Sequence, residues 1–275
     1  MKFKVSDFLK RKMSALPITM LTAYDCPFAR ILDECGIDAV LVGDSVGAAV
    51  LGYNSITRVT MDDMLHHLAA VKRGIEHTFV IGDMPYRSYA TPSLAVKNAR
   101  KFVKRGAEAV KMEGGAKIIK QVELLRKKGI PVCGHLGYLP QSGARPGVVG
   151  KTFEEAKRLV NDALLLQDAG AFMIVLELVP VQLARHITRL LRVPTIGIGA
   201  GPFCDGQVQV LHDMLGLSPK TYKHAKAYTN GKEVFSNAVS RYIGEVRKRS
   251  FPTRANASSL DDNVMQELRD WIKNK

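Results

Sequence analysis

Along this chain, short apolar runs alternate with longer amphipathic segments almost throughout. Runs at 18–23, 39–43, 79–82, 109–113, 132–135, 172–177 and 195–199 read as buried strands, and an eighth is expected near 211–215. The intervening segments carry helical periodicity with legible starts. Thr60 precedes Met61-Asp62-Asp63 as an N-cap, Thr91-Pro92 places a cap before a first-turn proline, and Thr152 with Glu155 forms a capping-box pattern. Strict strand–helix alternation predicts a parallel sheet with helices outside.

Several of these runs end on a carboxylate: AVLVG on Asp44, FVIG on Asp83, EAVKM on Glu113 and FMIVL on Glu177. The intervals are 39, 30 and 64 residues, close to one, one and two strand-plus-helix units. An acid at the buried end of a strand is costly unless a cation or a proton transfer uses it. Because the acids follow several different strands and not one switch point, the pattern predicts an α/β fold of the closed (β/α)8 TIM-barrel type. One catalytic barrel domain is expected over 1–250, with a linker and short amphipathic helix over 251–275, where Val264, Leu268, Trp271 and Ile272 make an apolar stripe.

Each residue also has a plainer explanation. A lone Asp after a strand commonly caps the next helix, which suits Asp44 and Asp83 better than Glu113 and Glu177. Lys111 and Glu113, two apart on one strand, point to the same side and make a site hypothesis. Three oxygens converging on one hard cation suit magnesium, and a fourth carboxylate outside that shell is free to move a proton. His135 in CGHLG is either a general acid, a ligand or a hydrogen-bonded core residue, and the last is the expectation. Cys133 is expected to be a buried, unactivated thiol. The run IGIGAG at 196–201 lacks dinucleotide-loop spacing and reads as a tight turn at the barrel mouth.

Composition narrows the function classes. The 275 residues are 46% hydrophobic and 24% charged, as in ordinary globular proteins, and no run reaches the length of a membrane span. The start lacks an apolar leader, so a cytoplasmic location is expected. The scattered Cys26, Cys35, Cys133 and Cys204 suggest neither disulfides nor a zinc site. A net charge of +14, without a nucleic-acid-binding motif, reads as a solvated basic surface able to attract an anionic substrate; residues 2–12 carry five of the cations. Neither nucleic acid nor membrane is an expected partner.

An ordered set of motifs then carries a specific resemblance: TAYD at 22–25, LVGDS at 41–45, DMPY at 83–86, YATP at 89–92, VKMEGG at 110–115, VCGHLGYLPQS at 132–142, VLELVP at 175–180, IGIGAG at 196–201, DGQ at 205–207 and HD at 212–213. Over about residues 15–250 the chain resembles the ketopantoate hydroxymethyltransferase family. The resemblance implies a magnesium-dependent barrel of the phosphoenolpyruvate/pyruvate superfamily. Such an enzyme moves a one-carbon unit from 5,10-methylenetetrahydrofolate to 3-methyl-2-oxobutanoate, giving 2-dehydropantoate on the way to pantothenate and coenzyme A. It implies metal positions at Asp44, Asp83 and Glu113, the last directly or through water. It also implies 2-oxoacid contacts at Asp44, Ser45, Asp83 and Lys111, a proton-accepting Glu177, and a homo-oligomer, often a decamer.

One departure from the family pattern bears on the co-substrate. Between Ser142 and Gly150 this chain has only GARPGVV where relatives carry a longer glycine- and aromatic-containing stretch, so the grip on the one-carbon donor is expected to differ. Two rival functions share some of these features: another magnesium-dependent 2-oxoacid enzyme, such as a carbon–carbon lyase or decarboxylase, and a basic binding module. The first lacks a reason for the VLELVP glutamate, and the second leaves the strand-end acids unexplained.

Overall fold

The computed structural model describes residues 2–143, 147–220 and 222–275. The chain falls into two compact units, Met1–Tyr228 and Thr229–Lys275.

In the first unit the order is α1 Val5–Met13, β1 Ile18–Thr22, α2 Cys26–Glu34, β2 Ala39–Val42, α3 Val46–Ala49, α4 Met61–Arg73, β3 Phe79–Asp83, α5 Pro92–Lys104, β4 Ala109–Glu113, α6 Ile119–Lys127, β5 Val132–Gly137, α7 Phe153–Ala169, β6 Met173–Glu177, α8 Val181–Leu190, β7 Thr195–Ile198, β8 Gly206–Gln209 and α9 Leu211–Met214. The strands pair in sequence order, all parallel, and close into a barrel of eight. The expected caps are present: Thr60 and Thr152 form capping boxes with Asp63 and Glu155, and the Thr91 side chain accepts from Leu94 N–H.

The eighth strand differs from expectation. Residues 211–214 form a short helix, and the strand is Gly206–Gln209, which pairs with β1 and β7. Its alternation of exposed Gln207 with buried Val208 is a strand signal, but four residues of Gly-Gln-Val-Gln contain a single apolar side chain, so hydrophobicity passed over it.

Side-chain alternation divides the core. One apolar cluster fills the barrel interior with Ile18, Met20, Leu41, Phe79, Ile81, Ala109, Cys133, Met173, Val175, Ile196 and Val208, while a second lies between strands and helices. The interior is stoppered at its N-terminal end by α1. Its Phe8, fully buried, meets Phe3, Phe79 and Phe172 with ring centroids 4.7, 5.1 and 5.8 Å away. Two of the basic residues near the N-terminus pin this helix and are not merely solvated. Arg11 pairs with the buried Asp38 at 2.5 Å, and Lys12 pairs with Asp205 at 2.7 Å. Those same carboxylates accept the strand-start N–H groups of Thr19 and Thr195.

In the second unit, α10 Gly231–Arg247 and α11 Asp262–Lys273 carry exposed apolar side chains, among them Phe235, Val239, Tyr242, Val264, Leu268, Trp271 and Ile272. The stripe expected at the C-terminal end is thus on a helix. Among the described residues, no helix is long and apolar enough to cross a membrane.

The floor plug gives the first prediction. Phe8→Ala should cost about 3–5 kcal/mol in equilibrium unfolding, the usual range for emptying a packed aromatic site. A loss below about 1 kcal/mol would mean that α1 does not stopper the barrel.

Candidate active site

Inward-facing positions turn from apolar to charged toward the C-terminal end of the barrel. On β3 the sequence runs Phe79, Ile81, Asp83; on β4 Ala109, Lys111, Glu113; on β5 Cys133, His135; on β6 Met173, Val175, Glu177. The period of two carries each strand's inward row out of the apolar floor and into the mouth. Strand register then chooses the partners. Asp83 lies beside Lys111, and Glu113 beside His135.

Those neighbours interact. Lys111 Nζ donates to Asp83 Oδ2 at 2.6 Å in a pair that is buried on both sides. Asp44, two residues past β2, is also buried, and its N–H reaches Asp83 Oδ2 at 3.3 Å. Burial, then the neighbouring Asp83 charge, pushes the Asp44 carboxyl well above its ordinary value. Burial likewise raises Asp83, though Lys111 opposes the rise. Burial disfavours the Lys111 ammonium, but the charges of Asp83, Asp44 and Glu113 outweigh it and raise its pKa. The lysine is therefore a fixed cation.

His135 bridges the two glutamates. Its Nδ1 is 3.4 Å from Glu113 Oε1 and its Nε2 is 3.2 Å from Glu177 Oε2, while neither nitrogen achieves hydrogen-bond geometry. The attraction is mainly that of an imidazolium between two carboxylates. Burial and Lys111 pull its pKa down, yet Glu113 and Glu177 prevail and lift it to about 9. The expectation of an ordinary core histidine is corrected: its neighbours are acids, which the surrounding glycines and leucine gave no means of foreseeing.

Glu177 is half-buried at the β6 end, where its carbonyl accepts from Tyr138 N–H at 2.8 Å. The next residue, Leu178, holds φ +50°, a strained conformation for a branched side chain that reorients the backbone directly after the acid. Gly137 on β5, at φ +94°, runs so close to the Glu177 carbonyl that a Cβ has no room. Ser45 Oγ lies 2.8 Å from the hydroxyl of buried Tyr24. Cys133 is buried as expected, its thiol pushed up to about 12 by burial.

The sequence reading did not single out Gln141, which is buried in the turn Pro140–Ser142 and contacts Asp44 and Glu113, or Tyr89, which contacts Gln141. Tyr89 opens YATP and Gln141 lies in VCGHLGYLPQS, but a glutamine or tyrosine in a loop carries no charge signal. The shortened segment overlaps residues 144–146, which lie outside the described residues.

Among the described residues, no three His, Cys, Asp or Glu side chains surround one point as a closed metal cage, so the expected convergence of three carboxylates is not preformed. The donor set still fits magnesium, which commonly takes one or two carboxylates and fills its remaining positions with water and substrate oxygens. Asp44 and Asp83 supply such a pair. Asp83 Oδ1 and Glu113 Oε1 are buried oxygens without a hydrogen-bond donor, atoms that a cation or its water would satisfy.

A parallel barrel with buried acids, a lysine and an imidazolium gathered at its C-terminal mouth is built as a (β/α)8 enzyme. The model of the family described as ketopantoate hydroxymethyltransferase matches residues 2–254. The 3-methyl-2-oxobutanoate hydroxymethyltransferase of Acetivibrio thermocellus is 51% identical over 97% of this chain and 96% of its own length. That of Caldivirga maquilingensis is 50% identical over 92% and 96%. This chain belongs to the ketopantoate hydroxymethyltransferase family. Solved structures of similar fold include 2,3-dimethylmalate lyase, at 15% identity, TM-score 0.60 and 99% and 98% coverage. A phosphonopyruvate hydrolase complexed with oxalate and magnesium is also similar, at 13% identity, TM-score 0.60 and 99% and 97% coverage.

The bridging histidine gives a pH prediction. Its raised pKa means that in the metal-free protein the imidazolium's stabilising contribution is complete below the ordinary value of 6.5 and is lost as pH rises through about 9. Imidazole NMR signals assigned to His135 should titrate with a midpoint near 9. A midpoint at or below 6.5 would contradict the bridge.

Proposed function

We propose that this chain transfers a hydroxymethyl group from 5,10-methylenetetrahydrofolate to 3-methyl-2-oxobutanoate, giving 2-dehydropantoate for pantothenate and coenzyme A synthesis. The observation that carries the reading is the facing arrangement at the mouth: the buried Asp44–Asp83–Lys111 group on one side and the more accessible Glu177 on the other, in a member of this family.

In this reading Asp44 and Asp83 would hold magnesium, with Glu113 at a third position directly or through water, and Asp44, Ser45, Asp83 and Lys111 would contact the 2-oxoacid. Bound magnesium supplies a Lewis acid that lowers the energy of negative charge on the ketone oxygen. Glu177, at the less buried edge of the cluster, takes the C3 proton, and the C–H electron pair becomes the enolate. Lys111, a permanent cation, stabilises the charge that develops on oxygen. Water adds to the one-carbon unit as its two C–N bonds break, giving formaldehyde and tetrahydrofolate; C3 then bonds to the formaldehyde carbon, and the resulting alkoxide takes up the proton held by Glu177. His135 steadies Glu177 by charge and sits between it and Glu113. The same reading includes a cytoplasmic location and self-association, the latter consistent with the exposed apolar side chains of α10 and α11.

Proton abstraction is separable from carbon transfer. With magnesium and without folate, the protein should exchange the C3 proton of 3-methyl-2-oxobutanoate for deuterium. Glu177→Gln should reduce that exchange at least a hundredfold, at the lower end of what a positioned general base contributes, with little change in 2-oxoacid affinity. Exchange at the wild-type rate in the variant would remove Glu177 as the base.

A further inference from the structure

Gln141 is an uncharged side chain buried among charges, and its amide finds partners at both ends. Its Nε2 donates to Asp44 Oδ2 at 2.8 Å and to the Met84 carbonyl at 3.0 Å. Its Oε1 accepts from the Tyr89 hydroxyl at 2.6 Å, and its backbone N–H donates to Glu113 Oε2 at 3.0 Å. One residue thus touches carboxylates delivered by two different strands, β2 and β4.

The direction of the amide is set by Tyr89 together with the Met84 carbonyl. A hydroxyl donating to Oε1 leaves the NH2 end facing Asp44 and the Met84 carbonyl, both of which can only accept when Asp44 is ionised. The Met84 carbonyl can only accept, so it requires the NH2 end on its side and leaves Oε1 to the Tyr89 hydroxyl. Tyr89 also accepts from Glu113 N–H at 3.3 Å, which ties this small network back to β4.

A neutral donor does something here that a lysine would not. It fixes the Asp44 carboxyl by a hydrogen bond while adding no positive charge beside a site meant for a cation. It also occupies only Oδ2 of Asp44, leaving Oδ1 outside its grip. The backbone N–H similarly takes Glu113 Oε2 and leaves Oε1 toward His135.

We propose that Gln141 is a positioning residue, oriented by Tyr89, that sets Asp44 and Glu113 in the geometry needed to bind a divalent cation together with a 2-oxoacid. The proposal rests on the reading of the acidic pair as a cation site given under Proposed function. Loss of such an outer contact usually weakens metal binding by about 10–100-fold.

The test is calorimetric titration of magnesium into the full-length protein in the presence of 3-methyl-2-oxobutanoate, with thermal unfolding measured in parallel. Gln141→Met keeps length and removes every side-chain hydrogen bond, and magnesium should bind about 10–100-fold more weakly. Tyr89→Phe removes one neutral hydrogen bond and should weaken binding about 2–10-fold. The double variant should bind no more weakly than Gln141→Met alone, because Tyr89 acts through the amide.

A merely structural glutamine would lower the unfolding temperature of Gln141→Met while leaving magnesium affinity at the wild-type value, and that outcome overturns the proposal. If Gln141→Met does not fold, Tyr89→Phe decides, with wild-type affinity again overturning it. Fully additive losses in the double variant would overturn the orienting role of Tyr89. Failure of the underlying site reading is distinguishable, since the wild-type protein itself would then show no magnesium-dependent binding of the 2-oxoacid.

Discussion

The buried ion pair between Asp83 and Lys111 makes the rest of the mouth possible. An ionised carboxylate taken out of water loses several kcal/mol of hydration, and Asp44 and Glu113 stand close enough to multiply that penalty. Lys111 lies among them, and parallel register places it beside Asp83 as part of the backbone geometry. Ordering a long side chain against a carboxylate on a neighbouring strand then needs little conformational search, since both rise from rigid, paired backbone. The remaining acids are held by weaker devices: a glutamine amide on Asp44, and an imidazolium between Glu113 and Glu177.

Charge counting connects that arrangement to chemistry. Four carboxyl groups, at Asp44, Asp83, Glu113 and Glu177, share the mouth with one lysine, Lys111, and one histidine, His135, and burial opposes the charged forms of Asp44 and Asp83. In the proposed function, a divalent cation held by Asp44 and Asp83 would favour their charged forms. The mouth is also one-sided. Charged inward residues come from β3 to β6 and from the end of β2, whereas the inward residues Ile196, Ile198 and Val208 of β7 and β8 are apolar. A small 2-oxoacid bound against the acidic side would keep its alkyl end toward the apolar side, which is the polarity of 3-methyl-2-oxobutanoate itself.

Much of this placement was legible because the inward residues at barrel strand ends change from apolar to charged. Apolar runs gave seven strands, and the terminal carboxylates gave Asp83, Glu113 and Glu177 as inward mouth residues, with Asp44 just beyond β2. The eighth strand escaped because Gly206–Gln209 is held by its neighbours' backbones more than by its own hydrophobicity. Residue type alone was a poor guide to His135, whose partners come from β4 and β6, distant in sequence and adjacent only through register. Gln141 and Tyr89 were harder still, since a neutral loop side chain reveals its use only when the groups it bonds are seen. Arg11 and Lys12 went unread for the opposite reason: a surface cation and a buried-pair cation look alike in a sequence.

The central claim is that Lys111 and Asp83 compensate one another in the dry barrel mouth. A double-mutant cycle in urea unfolding at pH 7 without magnesium tests it most directly, using Lys111→Met, Asp83→Asn and the two together. Stranding a buried charge typically costs about 3–5 kcal/mol, whereas removing both partners is far less damaging. Lys111→Met alone should show a loss in that range, and the double variant should recover most of it. Single-variant stability within about 1 kcal/mol of wild type, or additive losses in the double variant, would contradict the account.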